Sequence, residues 1–353
     1  MFFMTDSLNW PFLISRLLEN ENLGVSQAKW AMGEIMTGDA TPAQISAFLI
    51  ALKVKGETVD EIVGFREAIL AAAHPINLKP DALDIVGTGG DVHGTVNVST
   101  MSSIVAAAAG VPVIKHGNRA ATSKSGASDV LQSLGVNIDI DVPKIEQIFD
   151  ELSIAFIWAS KFHPGFAHAG AVRREIGVPT VFNMLGPLCN PVRPIASAVG
   201  VAEEQRAALI SRVFAIRGAS ALVFRGDDGL DELSTTGHSH IWEISQGSIS
   251  EHDLNPVELG LEVVEIDALK GGEAVENAKI ALRTLRGELG PVRDVVLLNA
   301  AAGMVAYDLA QDAEQSELPI RKRIAERMDS AREAIDSGAA LNLLNNWIAA
   351  TNS

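Results

Sequence analysis

Up to about residue 80, apolar positions recur every three to four residues, the spacing of amphipathic helices. "NLGVSQAKWAMGEIMTG" keeps that period and stops at Gly38. "DATPAQISAFLIALKVKG" opens with Asp39 or Thr41 as a cap and Pro42 at the first helical position. "TVDEIVGFREAILAAA" repeats the pattern, with Thr58 and Glu61 spaced as a capping box. The apolar start, "MFFMTDSLNWPFLISRLL", has no basic lead or small-residue cleavage site and carries Asp6. It reads as a first helix rather than a signal peptide.

After Pro80 the period changes. "ALDIVG" is a short apolar run ending in Gly, the mark of a buried strand, and "STMSSIVAAAAG" follows as a helix closed by Gly110. "VPVIKHG" is the next strand and "ASDVLQSLG" the next helix. "IAFIWAS", "ASAVGV", "SALVFRG" and "DVVLLNAAAG" complete the strand candidates, with helices between them. Such alternation predicts an α/β domain with a mostly parallel sheet. The expected fold is a small helical N-terminal domain, residues 1–80, and a larger α/β domain, residues 81–353. "HPGFAHAGAVRREIGVPTVFNMLGPL" breaks the rhythm, and part of 165–195 is expected to join the helical domain.

Composition narrows the class. Hydrophobic residues make up 47% and charged residues 20%, a globular balance, and no 18-residue uncharged apolar run offers a membrane span. The single cysteine, Cys189, excludes an internal disulfide and a cysteine metal cluster. A soluble, cytoplasmic protein is expected. The net charge of −16 disfavours nucleic acid as a partner. One window departs from that balance. The 37 residues from Val92 to Ser128 hold no Asp or Glu, whereas 44 acids in 353 residues scale to about 4.6 there. Lys115, Arg119 and Lys124 lie in the same window.

That window begins inside "GTGGDVHGTVNVST", Gly87 to Thr100, which joins a predicted strand to a predicted helix. Backbone N–H groups converge at such a junction, and the helix dipole favours an anion. Gly87 and Gly89 fit a dinucleotide loop, but Val92 occupies the third glycine position. Gly94 is followed by Thr95 with no Lys, so a P-loop fails as well. A tight turn without ligand remains the alternative, although Asp91, Asn97, Ser99 and Thr100 exceed what a turn needs. A second stretch, "KHGNRAATSKSG", also follows a strand, at the edge where open α/β sheets bind ligands. Lys115 and Arg119 can face phosphates or a carboxylate there, and Ser123 and Ser125 can donate to phosphate oxygens; a solvated basic loop is the alternative.

The third stretch, "GDDGLDEL", crowds four carboxylates into six residues. Mg²⁺ commonly joins one or two such carboxylates to substrate phosphates. Asp227 and Asp228 read as an exposed turn, and Asp231 and Glu232 as the better ligands; a solvated acidic turn is the alternative. In "HPGFAHAGAVRREIG", either Arg173 or Arg174 can clamp a carboxylate, or sit on the surface. His93, His116, His163 and His168 lack zinc spacing and read as packing or hydrogen-bonding residues. Neither a nucleophile elbow nor a Ser-His-Asp order is present, so binding and electrostatics rather than covalent catalysis are expected.

"GTGGD", "TVNVST", "KHGNRA", "KSGASDVL", "HPGFAHAGAVRREIG", "FNMLGPLCNP" and "GLDELS", in this order over roughly residues 10 to 350, resemble the anthranilate phosphoribosyltransferase family of tryptophan biosynthesis. The resemblance implies a fold of the nucleoside phosphorylase and phosphoribosyltransferase type, with a hinged helical domain, and a homodimer. It implies transfer of phosphoribose from phosphoribosyl pyrophosphate (PRPP) to the anthranilate amine, with two Mg²⁺ ions per subunit. By the same resemblance, PRPP contacts fall on Gly87, Gly90, Asp91 and Thr95, then on Asn97, Val98, Ser99 and Thr100. They continue through Lys115, His116, Gly117, Asn118 and Arg119 to Ala120, Ala121, Thr122 and Ser123, with Ala127 beyond. Anthranilate contacts fall on Gly87, Asn118 and Arg173, and metal ligands on Ser99, Asp231 and Glu232. Two positions depart from the family pattern. Ala127 replaces a common Ser, leaving a backbone N–H to serve the phosphate, and Phe166 replaces a common Tyr and loses its hydroxyl. The rival readings are a pyrimidine nucleoside phosphorylase, against which "KHGNRA" and the Asp231–Glu232 pair argue, and a non-catalytic nucleic-acid-binding relative, against which the acidic charge argues.

Overall fold

The computed structural model describes residues 8–119 and 124–353. Four helices come first: α1 (Trp10–Leu18), α2 (Val25–Thr37), α3 (Pro42–Lys55) and α4 (Val59–Ala71). Then follow β1 (Leu83–Gly87), α5 (Val98–Ala108), β2 (Val113–Gly117), α6 (Ala127–Leu134), α7 (Val142–Leu152) and β3 (Ile154–Trp158). Three short helices, α8 (Ala159–Phe162), α9 (Phe166–Ile176) and α10 (Phe182–Leu185), precede β4 (Ala196–Gly200). The chain continues through α11 (Glu204–Arg217), β5 (Ser220–Gly226), β6 (Ser239–Ser245) and β7 (Ser248–Leu254). It ends with α12 (Ala274–Leu285), α13 (Pro291–Gln311), α14 (Ile320–Asp336) and α15 (Ala339–Thr351). Among the described residues no helix is long and apolar enough to cross a membrane.

The contacts divide the chain into two compact units. One holds the chain up to Pro75 together with Ser160–Pro191; the other holds Ile76–Ala159 and Val192–Ser353. In the helical unit, local chemistry sets the helix ends. Asn9 accepts the Phe12 N–H at 3.0 Å, and Thr41, rather than Asp39, caps α3 in a box with Gln44. Thr58 and Glu61 form the box of α4. Glu61 does more than cap: it is fully buried and also accepts the Leu23 N–H at 2.9 Å and Lys55 Nζ at 3.0 Å. Every polar atom of that carboxylate is thus served, which a buried charge requires. Trp10, Phe48 and Phe65 stack edge to face at 5.5 and 5.9 Å, an arrangement that adds roughly 0.5–1.5 kcal/mol per pair beyond area burial. The later segment joins closely, because a Cβ on Gly165 would stand 2.5 Å from the Met36 carbonyl oxygen. Arg66 Nε also donates to the Leu188 carbonyl at 2.9 Å.

The second unit is built on one seven-stranded sheet in the order β3-β2-β1-β4-β5-β6-β7. Strands β1 to β5 are parallel, and β6 and β7 are antiparallel. Gln246 and Gly247 turn the β6–β7 hairpin with φ of 48° and 78°, the geometry that matches strand twist. One strand expectation fails. "DVVLLNAAAG" lies inside the 21-residue helix α13, whose residues from Val295 to Ala306 are all buried. An apolar run buried on every side carries no periodicity, so pattern alone cannot separate helix from strand. Pro291 at the helix start and the three consecutive alanines are the local signals for helix. Gly303 in this helix lets it approach β1: a Cβ there would stand 2.7 Å from Ile85 Cδ1.

Candidate active site

In the α/β unit the chain order reverses at β1 and β4. The chain leaves β1 for β2 on one side of the sheet, whereas β4 leads to β5 on the other. Connections that part in this way leave a crevice at the carboxyl ends of the strands. The glycine loop starts there. Gly89, Gly90 and Gly94 have φ of 68°, 86° and 67°, values that glycine adopts without strain. Val92 stands between them with φ of 59° and a side chain 92% exposed, a conformation costly for a β-branched residue. The Thr88 N–H donates to the Gly200 carbonyl, and its hydroxyl accepts from the Ala202 N–H, so the loops after β1 and β4 are stitched together.

Asp231 and Glu232 enter this crevice. Both are buried, and Asp231 Oδ2 accepts the Gly89 N–H at 2.6 Å. The absence of side chains at Gly87 and Gly200 makes the approach possible. A Cβ at Gly87 would stand 2.3 Å from Asp231 Oδ2, and one at Gly200 would stand 1.6 Å from the Asp231 carbonyl oxygen. Burial, then the charge of Asp91, raises the Asp231 carboxyl to about 7. Burial and the neighbouring Asp231 push Glu232 well above its usual range, against the pull of Lys115. Burial raises the Asp91 carboxyl, while His93 draws it down. Lys115 is buried on β2, with Nζ donating to the Ile85 carbonyl at 2.6 Å and to Ser99 Oγ at 3.2 Å. Burial lowers its pKa, opposed by Asp84 and Glu232. Among the described residues no three His, Cys, Asp or Glu side chains converge as a metal nest. Asp231, Glu232 and the Ser99 hydroxyl are oxygen donors, the type that a hard cation such as Mg²⁺ prefers.

The rest of the acidic stretch separates. Asp227 is exposed, as expected. Asp228 is not a solvated turn residue: it is half-buried and accepts from the Leu230 N–H and the hydroxyls of Ser234 and Thr236. His93 bonds the Asp228 carbonyl at 3.0 Å.

At the far end of the glycine loop, Val98 and Thr100 are buried, and Asn97 holds the N-cap position of α5 without capping it. The Thr100 hydroxyl is buried with no hydrogen-bond partner among the described residues, in keeping with a missing ligand group. Thr95 pairs with Lys270 in an isolated antiparallel bridge, flanked by Val96 N–H to Leu269 carbonyl and Gly271 N–H to Gly94 carbonyl, both 2.9 Å. Ser125 does not present its hydroxyl to solvent, since it donates to Asn97 Oδ1 at 3.2 Å and accepts from Asn277 Nδ2 at 2.9 Å.

Of the basic stretch, His116 is buried and Gly117 ends β2 against Phe156 and Ala127. Asn118 and Arg119 are exposed. Arg119 is held by Asp129 and Gln132, each at 3.0 Å, with its guanidinium 5.5 Å from the Trp158 ring centre. Ala127 is the first residue of α6, half-buried. Ala120, Ala121, Thr122 and Ser123 lie outside the described residues.

Within the helical unit the two arginines differ. Arg174 is exposed, whereas Arg173 is half-buried, with its guanidinium 5.1 Å from the Phe182 ring centre. Burial lowers the Arg173 pKa. The Phe166 ring packs on His163 and Phe182 at 5.2 and 5.8 Å. His163 is buried and its pKa is lowered to about 4, by burial first and by His74 in addition.

Two site-building residues escape sequence reasoning. Asn299, buried on α13, accepts the Leu233 N–H at 2.9 Å and donates to the Leu233 carbonyl at 2.8 Å, fixing the backbone next to Glu232. Asn277, buried on α12, ties Asn97 to Ser125. A polar residue inside an apolar helical run is the signal for the first, and a Gly-Gly pair five residues upstream is the only hint of the second.

A glycine-lined crevice with two buried carboxylates thus lies at the switch point of the α/β unit's sheet, and the chain carries a separate helical unit. Residues 79–341 match the model of the glycosyl transferase family a/b domain, and residues 12–73 match that family's helical bundle domain. The chain is 58% identical over 348 residues to the anthranilate phosphoribosyltransferase of Leifsonia xyli subsp. xyli, covering 99% of this chain and 100% of that protein. Its fold is similar to the crystal structure of the Thermus thermophilus anthranilate phosphoribosyltransferase (TM-score 0.87, 37% identity, 97% and 99% of the two chains). It is also similar to the Saccharomyces cerevisiae enzyme in complex with PRPP and Mg (TM-score 0.86, 30% identity, 97% and 98%). The chain belongs to the anthranilate phosphoribosyltransferase family.

Proposed function

We propose that this protein transfers the phosphoribosyl group of PRPP to the amine of anthranilate, giving N-(5-phosphoribosyl)anthranilate and pyrophosphate, in tryptophan biosynthesis. The observation that carries the reading is the buried Asp231–Glu232 pair beside Ser99, facing the glycine loop at the sheet's switch point. Two buried like charges raise each other's pKa, and a hard cation relieves that repulsion, so the donor set fits Mg²⁺. Mg²⁺, two ions per subunit in this reading, supplies charge neutralisation to pyrophosphate oxygens as the bond to ribose C1 breaks.

The chain's own groups do the rest. PRPP is assigned to Gly87, Gly90, Asp91, Thr95 and Asn97 to Thr100, and to the stretch from Lys115 to Ser123 with Ala127. Backbone N–H groups of the glycine loop are assigned to the developing negative charge, which fixed donors stabilise without reorganising during the reaction. Lys115 donates to the Ser99 hydroxyl and so holds that side chain in place. The anthranilate amine is neutral at pH 7 and attacks C1 without prior deprotonation; as the C–N bond forms and the C1–O bond to pyrophosphate breaks, the nitrogen becomes acidic and its extra proton passes to water or to the departing pyrophosphate, so orientation rather than a strong base is what the site supplies. Gly87, Asn118 and Arg173 are assigned to anthranilate, Arg173 to its carboxylate; its half-buried guanidinium, fixed over Phe182, supports that choice over Arg174.

The reading includes a homodimer in the cytoplasm. An exposed stripe on α3, Ala43, Ala47, Ile50 and Val54, repeats at helical spacing and supports a second copy as partner. The activity test is direct. Anthranilate fluorescence is expected to fall when the protein, PRPP and Mg²⁺ are combined. Folded protein that leaves the fluorescence unchanged defeats the reading, and turnover of a pyrimidine nucleoside with inorganic phosphate would replace it.

A further inference from the structure

Asn97 occupies the N-cap of α5, where an Asn side chain ordinarily accepts the N–H of the second or third helical residue. Here it makes no capping bond. Its Oδ1 accepts Asn277 Nδ2 at 2.8 Å and Ser125 Oγ at 3.2 Å, and its Nδ2 donates to the Ser125 carbonyl at 3.2 Å.

Asn277 is what turns Asn97 away. It is 3% exposed on α12, and its Oδ1 accepts the Gly272 N–H at 2.7 Å. A donor at Gly272 fixes which end of the amide is oxygen, so both Nδ2 protons point to acceptors, Asn97 Oδ1 and Ser125 Oγ. Gly271 leaves the space, since a Cβ there would stand 2.6 Å from Asn277 Oδ1. We propose that Asn277 is a positioning residue for the PRPP and Mg²⁺ end of the site: it withholds the Asn97 side chain from the first turn of α5, which carries Ser99, and locks Ser125 of the basic stretch to the glycine loop. This rests on the function proposed above and extends it to a residue that touches neither substrate nor metal.

The test compares wild type with Asn277→Leu, which is near in size and makes no hydrogen bond, and Asn277→Asp, which keeps the Gly272 bond but loses both donors. Calorimetric titration of PRPP with Mg²⁺ present and anthranilate absent reads binding without turnover. Both variants are expected to weaken PRPP at least tenfold and to need more Mg²⁺ for half-maximal activity, with the anthranilate KM within twofold of wild type. Leu controls for the charge that Asp adds. PRPP affinity within twofold of wild type in either folded variant overturns the proposal. So does equal weakening of both substrates, or loss of folding in both variants, since each makes Asn277 a stability residue only. Wild-type protein that binds no PRPP strikes the proposed function instead.

Discussion

The glycine loop and the acidic turn meet at Gly89 and Asp231, yet they are held in different ways. The loop is anchored by main chain to main chain: Thr88 to Gly200, Val96 to Leu269 and Gly271 to Gly94. Three of its glycines, Gly89, Gly90 and Gly94, take the left-handed angles that glycine adopts without strain. The acidic turn is fixed largely by side chains. Asp228 gathers Leu230, Ser234 and Thr236, and Asn299 grips both polar atoms of the Leu233 peptide. A surface that offers backbone donors must be shaped by backbone, whereas one that offers two repelling carboxylates needs rigid neighbours to stop them from parting.

The largest effect should come from removing what the acidic turn offers. Asp231→Asn with Glu232→Gln is expected to lower Mg²⁺-dependent turnover at least ~100-fold, the scale for losing a preorganised electrostatic group. Anthranilate binding should change little. Steady-state kinetics against Mg²⁺ concentration, beside fluorescence titration of anthranilate, decides this, and an unchanged Mg²⁺ profile removes the metal assignment. Next comes the grip itself. Asn299→Ala leaves the buried N–H and carbonyl of Leu233 unserved, and should cost about 3 kcal/mol in urea unfolding. A loss below ~0.5 kcal/mol would mean that main chain alone holds the turn and would erase the contrast. The smallest effect is expected in the glycine loop. Val92→Gly relieves a left-handed β-branched residue whose side chain touches almost nothing, and should stabilise by ~0.5 kcal/mol after the entropy cost of glycine. Destabilisation would assign the exposed Val92 side chain a partner.

The same contrast explains what is legible in the sequence. The glycine loop, the basic stretch and the Asp231–Glu232 pair are contiguous, so residue type and spacing point to them. Helix ends at Thr41 and Thr58 are equally legible, because a cap is a contact between near neighbours. The supports are not. Asn277 stands among other polar residues of α12, Asn299 is one polar residue in an apolar run of α13, and their partners Asn97 and Leu233 lie 180 and 66 residues away. Helix α13 reads as a strand because burial on all sides erases its period. The β6–β7 hairpin escapes the pattern, since β7 is an exposed edge strand with polar residues on both faces and only Gln246–Gly247 marks its turn. Asp228 reads as a solvated turn residue because its oxygens are satisfied by hydroxyls that follow it, and nothing in "GDDG" announces them.

The position of β1 in the middle of the sheet also bears on how the chain matures. During synthesis β1 and β2 can pair as soon as both have emerged, but β4, the other neighbour of β1, comes 113 residues after it in register, Leu83 against Ala196. Asp231, which closes on Gly89, follows 142 residues behind, and Asn277 trails Asn97 by 180. Contacts of such separation form late, because loop closure must precede the bonds that reward it. A chain that stops short of α12 therefore has the main-chain anchors of the glycine loop but lacks the Asn277 bridge that ties Asn97 to Ser125.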